Sequence, residues 1–108
     1  MDLSDKAAEA AAMLKALSNE HRLLVLCHLV AEEEQTVGQL VARSGLSQSA
    51  LSQHLARLRQ QGLVTFRRDA QTLHYRIADP KAVQLIALLR DLFCPEDQDS
   101  SAQEPKYA

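Results

Sequence analysis

Apolar residues follow helical spacing along most of this chain and alternate with polar residues in one short stretch. Leu51, Leu55 and Leu58 repeat at i, i+4 and i+7, which is the period of a helix with one buried face. The segment LHYRI, which begins at Leu73, instead alternates apolar and polar positions as a half-buried strand does. Low aromatic content and frequent Leu and Ala agree with a mainly α protein that contains one β-hairpin.

Capping residues divide the N-terminal part of the chain into two predicted helices. Ser4 is a suitable N-cap for a first, alanine-rich helix over residues 5–17. Ser18 or Asn19 then interrupts the pattern and caps a second helix that reaches about Ala31. The second helix contains the run LLVLCHLV, so we expect it to be central to the core. The EEEQ segment after it is predicted as a loop or a frayed helix end.

Two further helices follow and are joined by a tight turn. Thr36 and Gln39 have the spacing of a capping box and start a short third helix, which ends at Gly45. Ser47 caps a fourth helix, which stops at Gly62 before a strand begins. A short helix joined to a second one through a glycine-containing turn is the pattern of a helix-turn-helix.

The hairpin and a last helix complete the predicted domain, which covers residues 1–94. The hairpin turn, near residues 69–71, has no Asn-Gly or Asp-Gly pair, so a loop of several residues is expected. Asp79 is an N-cap and Pro80 occupies the first position of the last helix. Residues 95–108 are polar and acidic, and we predict that this tail is disordered.

The net charge of −2 conceals a basic middle within an acidic chain. Residues 35–78 contain six arginines and a single acidic residue, Asp69. Because a polyanion is attracted to such a segment, the charge distribution indicates a nucleic-acid-binding surface. A protein-interaction domain with no DNA role is a weaker alternative, since it leaves the basic segment unexplained.

The predicted fourth helix carries polar side chains that are unusual for a merely solvated surface. Opposite its leucines lie hydroxyls, amides and arginine rather than Glu, Lys and Ala. The second helix of a helix-turn-helix enters the major groove of double-stranded DNA, where amides pair with adenine and short side chains approach bases or phosphates. Arginines at the end of the third helix and near the hairpin tip would contact phosphates or the minor groove. The predicted DNA-binding residues are Arg43, Ser47, Gln48, Ser49, Ser52, Gln53, His54, Arg57, Arg67 and Arg68. For His54, a packed or solvated position is an equal alternative.

Other function classes find little support in the sequence. It contains neither a glycine-rich phosphate loop nor a paired-carboxylate motif. Cys27 and His28 are neighbours about 100° apart around a helix, so they cannot form a nucleophile–base pair. A signal-peptide pattern and an apolar run of membrane-spanning length are also missing. We therefore expect a cytoplasmic protein that is not an enzyme and has no cofactor and no membrane partner.

The stretch over residues 16–76 resembles the ArsR/SmtB family of bacterial winged-helix repressors. The matching motifs are LSNEHRLLVL, TVGQLVARSGLSQSALSQHLARLRQQGLV and RRDAQTLHYRI. The resemblance implies a winged helix-turn-helix, ordered as four helices, a hairpin wing and a fifth helix. It also implies a homodimer formed through the first and last helices, on a roughly palindromic operator with half-sites about 34 Å apart. Members usually repress transcription and release DNA when an effector binds.

The resemblance extends to the two cysteines. Cys27, in the second helix, and Cys94, after the last one, are placed as in a subgroup of the family, the HlyU, BigR and SqrR regulators. In that subgroup the two cysteines react with persulfides or oxidants and become linked. The resemblance therefore implies redox or reactive-sulfur sensing by this pair. The residues alone leave open that Cys27 is simply a small apolar residue of the core.

A metal-responsive repressor is the main alternative. Two common metal sites of the family place cysteines before the recognition helix, or histidines and carboxylates on the last helix. The corresponding segments here, TVGQL and DPKAVQLIALLRDLF, contain no cysteine and no histidine, so no metal ligand is predicted on those routes. What remains is a site formed by Cys27, Cys94 and either His21 or His28, whose thiolate and imidazole groups suit soft or borderline metals.

Overall fold

A computed structural model describes residues 2–94, which form a winged helix-turn-helix of five α-helices and a three-stranded antiparallel sheet. This confirms the predicted fold class. The sheet has the spatial order β1-β3-β2. The elements are α1 (Ala7–Leu17), α2 (Glu20–Ala31), β1 (Gln35–Thr36), α3 (Val37–Ser44), α4 (Gln48–Gln60), β2 (Val64–Asp69), β3 (Thr72–Ile77) and α5 (Pro80–Phe93). The predicted acidic tail, residues 95–108, lies outside the described residues.

Side-chain caps fix the starts of four helices where the sequence predicts them. Asn19, Thr36, Ser47 and Asp79 each accept a hydrogen bond from a backbone N–H in the first turn of α2, α3, α4 and α5. The α3 cap is the complete reciprocal capping box. Gly45 ends α3 in the left-handed conformation, with φ of 75°. Each such cap stabilises a helix by about 1 kcal/mol, so local interactions set where these helices begin.

The chain enters α1 differently from the prediction. A 3-10 turn over Leu3–Lys6 precedes the helix, which begins at Ala7. Asp2, and not Ser4, accepts the capping hydrogen bond, from the Ser4 N–H at 2.9 Å. The Ser4 hydroxyl donates to the same Asp2 oxygen at 2.5 Å, and α1 begins after Lys6 without a side-chain cap.

The sequence does not predict the strand β1, because its two residues directly follow an acidic run. Gln35 lies opposite Tyr75 of β3, and its side chain is fully buried. The Gln35 amide donates hydrogen bonds to the carbonyl oxygens of His28 and, at 3.3 Å, Glu32. Residues 32–34 form the predicted loop, but Gln35 begins a strand, so the segment ties the end of α2 to the sheet.

The hairpin of β2 and β3, which we call the wing, has a tighter turn than predicted. Asp69 pairs with Thr72, so the turn contains only Ala70 and Gln71. Ala70 takes a φ of 58°, the left-handed region that a two-residue hairpin turn requires and that glycine or asparagine usually supplies. The expected loop of several residues is wrong because an alanine here accepts this strained conformation.

The core holds α4 in one orientation. Leu51, Leu55 and Leu58 are at most 1% exposed and belong to a buried cluster that includes Leu26 of α2 and Leu40 of α3. The opposite side of α4 must therefore face outward. Within residues 2–94, each helix is too short or too polar to cross a membrane.

Candidate nucleic-acid interface

The outer side of α4 presents a continuous polar surface. Its three buried leucines lie on one side of the helix, and the predicted DNA-contacting side chains are exposed on the other. We call this surface the recognition face; its residues are Gln48, Ser49, Ser52, Gln53 and Arg57. Hydroxyls and amides both donate and accept hydrogen bonds, and the guanidinium adds a positive charge, which together match base edges and phosphates.

Two other predicted residues of this helix have a partner within the protein. Ser47 is exposed, but its hydroxyl accepts the capping hydrogen bond from the Ala50 N–H at 3.1 Å. His54 is half-buried, and its ring centroid lies 5.8 Å from that of His21. Burial, followed by the charges of Arg22 and then of His21 and Arg57, lowers the pKa of His54 and favours its neutral form. His54 therefore lies at the edge of the recognition face, against α2.

The two arginines of the wing differ in their surroundings. Arg67 lies opposite His74 and Arg68 opposite Leu73, close to the hairpin turn. Successive side chains of a strand point to opposite faces, so the two guanidinium groups diverge. The Arg67 Nε donates to both carboxylate oxygens of Glu34, at 2.9 and 3.0 Å. Arg68 is exposed and forms no ion pair within residues 2–94.

Arg43, the predicted phosphate contact at the end of α3, also pairs with a carboxylate. Its Nη2 lies 2.6 Å from Oε2 of Glu32. Residues 32–34, which we call the acidic loop, thus supply the counterions of both Arg43 and Arg67. Sequence reasoning missed these pairs; an acidic run directly before a helix-turn-helix rich in arginine is the signal that could have revealed them.

A further arginine connects α4 to the wing. The Arg59 guanidinium carbon lies 4.4 Å from the centroid of the Phe66 ring, which itself is 5.3 Å from the Tyr75 ring. A cation–π contact of this kind stabilises by about 0.5–1 kcal/mol at an exposed site. It links the C-terminal end of α4 to β2, a contact that the sequence pattern does not indicate.

The two cysteines lie on neighbouring helices. α2, which carries Cys27, packs against α5, and Cys94 follows the last residue of α5. Both side chains are half-buried, and the Cys94 N–H donates to the Arg90 carbonyl at 2.8 Å. Within residues 2–94, His, Cys, Asp and Glu side chains do not gather in groups of three or more that could hold a metal ion.

The terminal helices have an apolar outer surface. A groove of about 1030 Å³ runs between the N-terminal 3-10 turn, α1 and α5, and Met13 and Leu85 line it. Leu14 and Leu88 also line the groove and are exposed, and so are Leu92 and Phe93 at the end of α5, the last at 76%. We call these four residues the apolar patch.

Comparison with known proteins agrees with this architecture. Residues 19–65 match the family described as bacterial regulatory protein, arsR family. The transcriptional activator HlyU of Vibrio cholerae serotype O1 is 45% identical over 97 residues, which cover 90% of this chain and 89% of that protein. The structure of reduced HlyU from Vibrio cholerae N16961 gives a TM-score of 0.80 at 47% identity, covering 85% of this chain and 96% of the other. The transcriptional repressor BigR from Xylella fastidiosa gives 0.81 at 42% identity, covering 86% and 94%.

The wing, the recognition face and this similarity over nearly the whole described chain lead to the same conclusion. The chain belongs to the ArsR family of bacterial transcription regulators, DNA-binding proteins that are not enzymes, and within it to the group of HlyU and BigR.

Proposed function

We propose that two copies of this chain form a homodimer that binds a palindromic operator, and that oxidation or sulfur linkage of Cys27 and Cys94 lowers its DNA affinity. The observation that carries the DNA-binding half is the recognition face. It is rigidly positioned by three buried leucines, yet wholly polar outside. The predicted contacts of Arg43, Arg68 and the other DNA-binding residues belong to this proposal.

The apolar patch supports the dimer. Four large apolar side chains lie exposed on or beside α1 and α5, next to an apolar groove. Leu88 and Leu92 lie one turn apart on α5, and large apolar side chains exposed together in this way are typical of an interaction surface. A second copy would cover it isologously and leave both recognition faces free, as a palindromic operator requires.

The packing of α2 against α5 supports sensing by the cysteine pair, because each helix brings one thiol. A direct disulfide needs Cα atoms about 4.4–6.8 Å apart, and each inserted sulfur extends the link by about 2 Å. A solved structure of HlyU is of its reduced form, which agrees with a thiol chemistry in that relative.

The chemistry requires an electron acceptor from outside. Hydrogen peroxide takes two protons and two electrons from the thiols and gives a disulfide and two waters. A persulfide RSSH first transfers its outer sulfur to one cysteine and leaves as the thiol RSH. A second persulfide then accepts the two electrons of ring closure, which releases RSH and hydrogen sulfide and leaves a trisulfide. Either link would restrain α2 against α5 and favour the dimer geometry that binds DNA less well.

Intact mass spectrometry combined with DNA titration tests the sensing. Reduced protein is treated with a persulfide donor or with hydrogen peroxide, and each product is titrated against promoter DNA from its own genome. We expect the loss of two hydrogens, with or without added sulfur atoms, together with weaker DNA binding, and neither change in Cys27→Ser or Cys94→Ser. An unchanged mass, or a changed mass with unchanged affinity, contradicts the proposal. Metal binding to the reduced protein that a chelator reverses would favour the metal-responsive alternative.

A further inference from the structure

Two arginines of the candidate DNA interface are already occupied by carboxylates of the same chain. Glu32 holds Arg43 at 2.6 Å, and Glu34 accepts two hydrogen bonds from Arg67. Glu34 also lies 3.9 Å from the Arg76 guanidinium. By contrast, Arg57 and Arg68 form no ion pair within residues 2–94. The arginines of the interface are therefore of two kinds: Arg43 and Arg67 are paired with a carboxylate, whereas Arg57 and Arg68 are not paired with one in the part of the chain that the structure describes.

The acidic loop is held in place from both sides. Before it, α2 ends at Ala31; after it, the buried Gln35 binds back to the carbonyl oxygens of His28 and Glu32. The strand β1 that follows pairs with β3 of the wing, with Thr36 opposite His74. The carboxylates are thus presented at a fixed position between α2, α3 and the wing.

We propose that Glu32 and Glu34 are internal competitors of DNA phosphate. A carboxylate and a phosphate offer an arginine the same charge and the same paired oxygen acceptors. Arg43 and Arg67 therefore contact DNA only after their carboxylates have been displaced, whereas Arg57 and Arg68 bind without this cost. The inference rests on the proposed DNA contacts of Arg43 and Arg67, and it makes the acidic loop a determinant of affinity.

The competition has a distinctive salt signature. Rising salt weakens arginine–phosphate contacts through counterion release, but it also weakens the ion pairs that oppose them. The two effects partly cancel in the wild-type protein. Removal of Glu34 abolishes the opposing ion pair at Arg67, so the affinity for DNA should rise and should also fall more steeply with salt.

Glu34→Gln is tested against Glu33→Gln, which removes the same charge from the same loop. Glu33 forms no ion pair within the described residues, so this control measures the general effect of one less negative charge. The probe is a short fluorescein-labelled duplex of random sequence, since phosphate contacts do not depend on base sequence. Anisotropy titrations are run between about 50 and 200 mM KCl.

We expect Glu34→Gln to bind at low salt about two- to fivefold more tightly than Glu33→Gln, the size of an exposed ion pair, with a steeper salt slope. Equal affinities would overturn the proposal. Weaker binding by Glu34→Gln would also overturn it, because Glu34 would then be positioning Arg67 for DNA. Thermal unfolding of each variant verifies that the fold is retained.

A double variant identifies the arginine involved. In an Arg67→Ala background, Glu34→Gln should raise the DNA affinity no more than Glu33→Gln does. A larger rise with Glu34→Gln in this background would contradict competition at Arg67. The two proposals fail differently in this experiment. Wild-type protein that shows no salt-dependent binding would contradict the DNA interface itself, whereas normal wild-type binding with an unaltered Glu34→Gln would contradict only the competition.

Discussion

The helix-turn-helix and the terminal helices of this protein distribute apolar side chains in opposite ways. In α4 the leucines are buried within the chain, and the outer face carries mainly hydroxyls, amides and arginine. On α1 and α5 three leucines and a phenylalanine remain exposed. The first region is complete in one chain and has polar groups to offer a ligand. The second exposes apolar side chains, and in the proposed dimer a second copy covers them, whereas the polar face of α4 is left to DNA.

The largest expected effect comes from the interior of the helix-turn-helix. Leu51→Ala should lower the free energy of unfolding by about 2–5 kcal/mol, because the site is fully buried and the loss of the side chain leaves a cavity. Ser52→Ala, at the next and exposed position, should change it by less than about 0.5 kcal/mol. Urea titrations of both variants compare the two values. Similar values would mean that the two sides of α4 are not distinct.

The terminal surface should respond in association rather than in folding. Leu88→Glu places a charge in the proposed dimer contact and should raise the dimer dissociation constant by about a hundredfold or more, since an unpaired buried charge is costly. Ala56→Glu adds the same charge on the exposed side of α4 and should leave association unchanged. Analytical ultracentrifugation measures both. A Leu88→Glu variant as dimeric as the wild type would contradict the role of the apolar patch.

Within the DNA-facing half, base reading and phosphate binding should be separable. Gln53→Ala should cost about 1–3 kcal/mol on the operator and little on random DNA, because an amide reads base edges. Arg68→Ala should weaken binding to all sequences and reduce the salt slope by about 1 per subunit. Titrations on both DNAs at several salt concentrations distinguish the two patterns. Loss of affinity for random DNA in Gln53→Ala would place this residue on the phosphates instead.

The parts of the fold that the sequence predicts well are those fixed by neighbours along the chain. The caps at Asn19, Thr36, Ser47 and Asp79 and the leucine spacing of α4 act within one or two helical turns, so their effect is visible in the sequence itself. These features are enough to predict the helix-turn-helix and the outward direction of the recognition face.

What the sequence does not reveal depends on contacts between distant segments. Glu34 and Arg67 are 33 positions apart and meet only because β1 joins the wing. β1 itself has two residues and no pattern of its own; its pairing with β3 defines it. Gln35 reads as a loop residue, yet it is buried because the carbonyl oxygens at the end of α2 accept its amide hydrogens.

The wing turn permits a small gain in stability. Ala70 occupies the first of the two turn positions with φ of 58°, where a side chain is strained and glycine is not. Ala70→Gly should raise the free energy of unfolding by about 0.5–1 kcal/mol, the strain relieved less the entropy glycine loses on folding. Gln71→Gly, where φ is not positive, should be neutral or destabilising. Thermal unfolding ranks the three proteins, and a less stable Ala70→Gly would show that the turn is not strained.

The weakest expected effect is a pH dependence of stability that arises from His28 in α2, the helix that contacts both α3 and α5. Burial, and then the charge of Arg43, lowers the pKa of His28, whose Nε2 is buried without a hydrogen-bond partner within residues 2–94. As the pH falls below about 6.5, the unfolded chain takes up this proton before the folded protein does, so the free energy of unfolding should decrease. His28→Gln should show a smaller decrease between about pH 7 and 5, to which His54 still contributes because its pKa is also lowered. Urea titrations across this range measure the slope. An unchanged slope in His28→Gln would mean that His28 takes up its proton equally easily in the folded and unfolded chains, and that the end of α2 is more open to water than its packing against α3 implies.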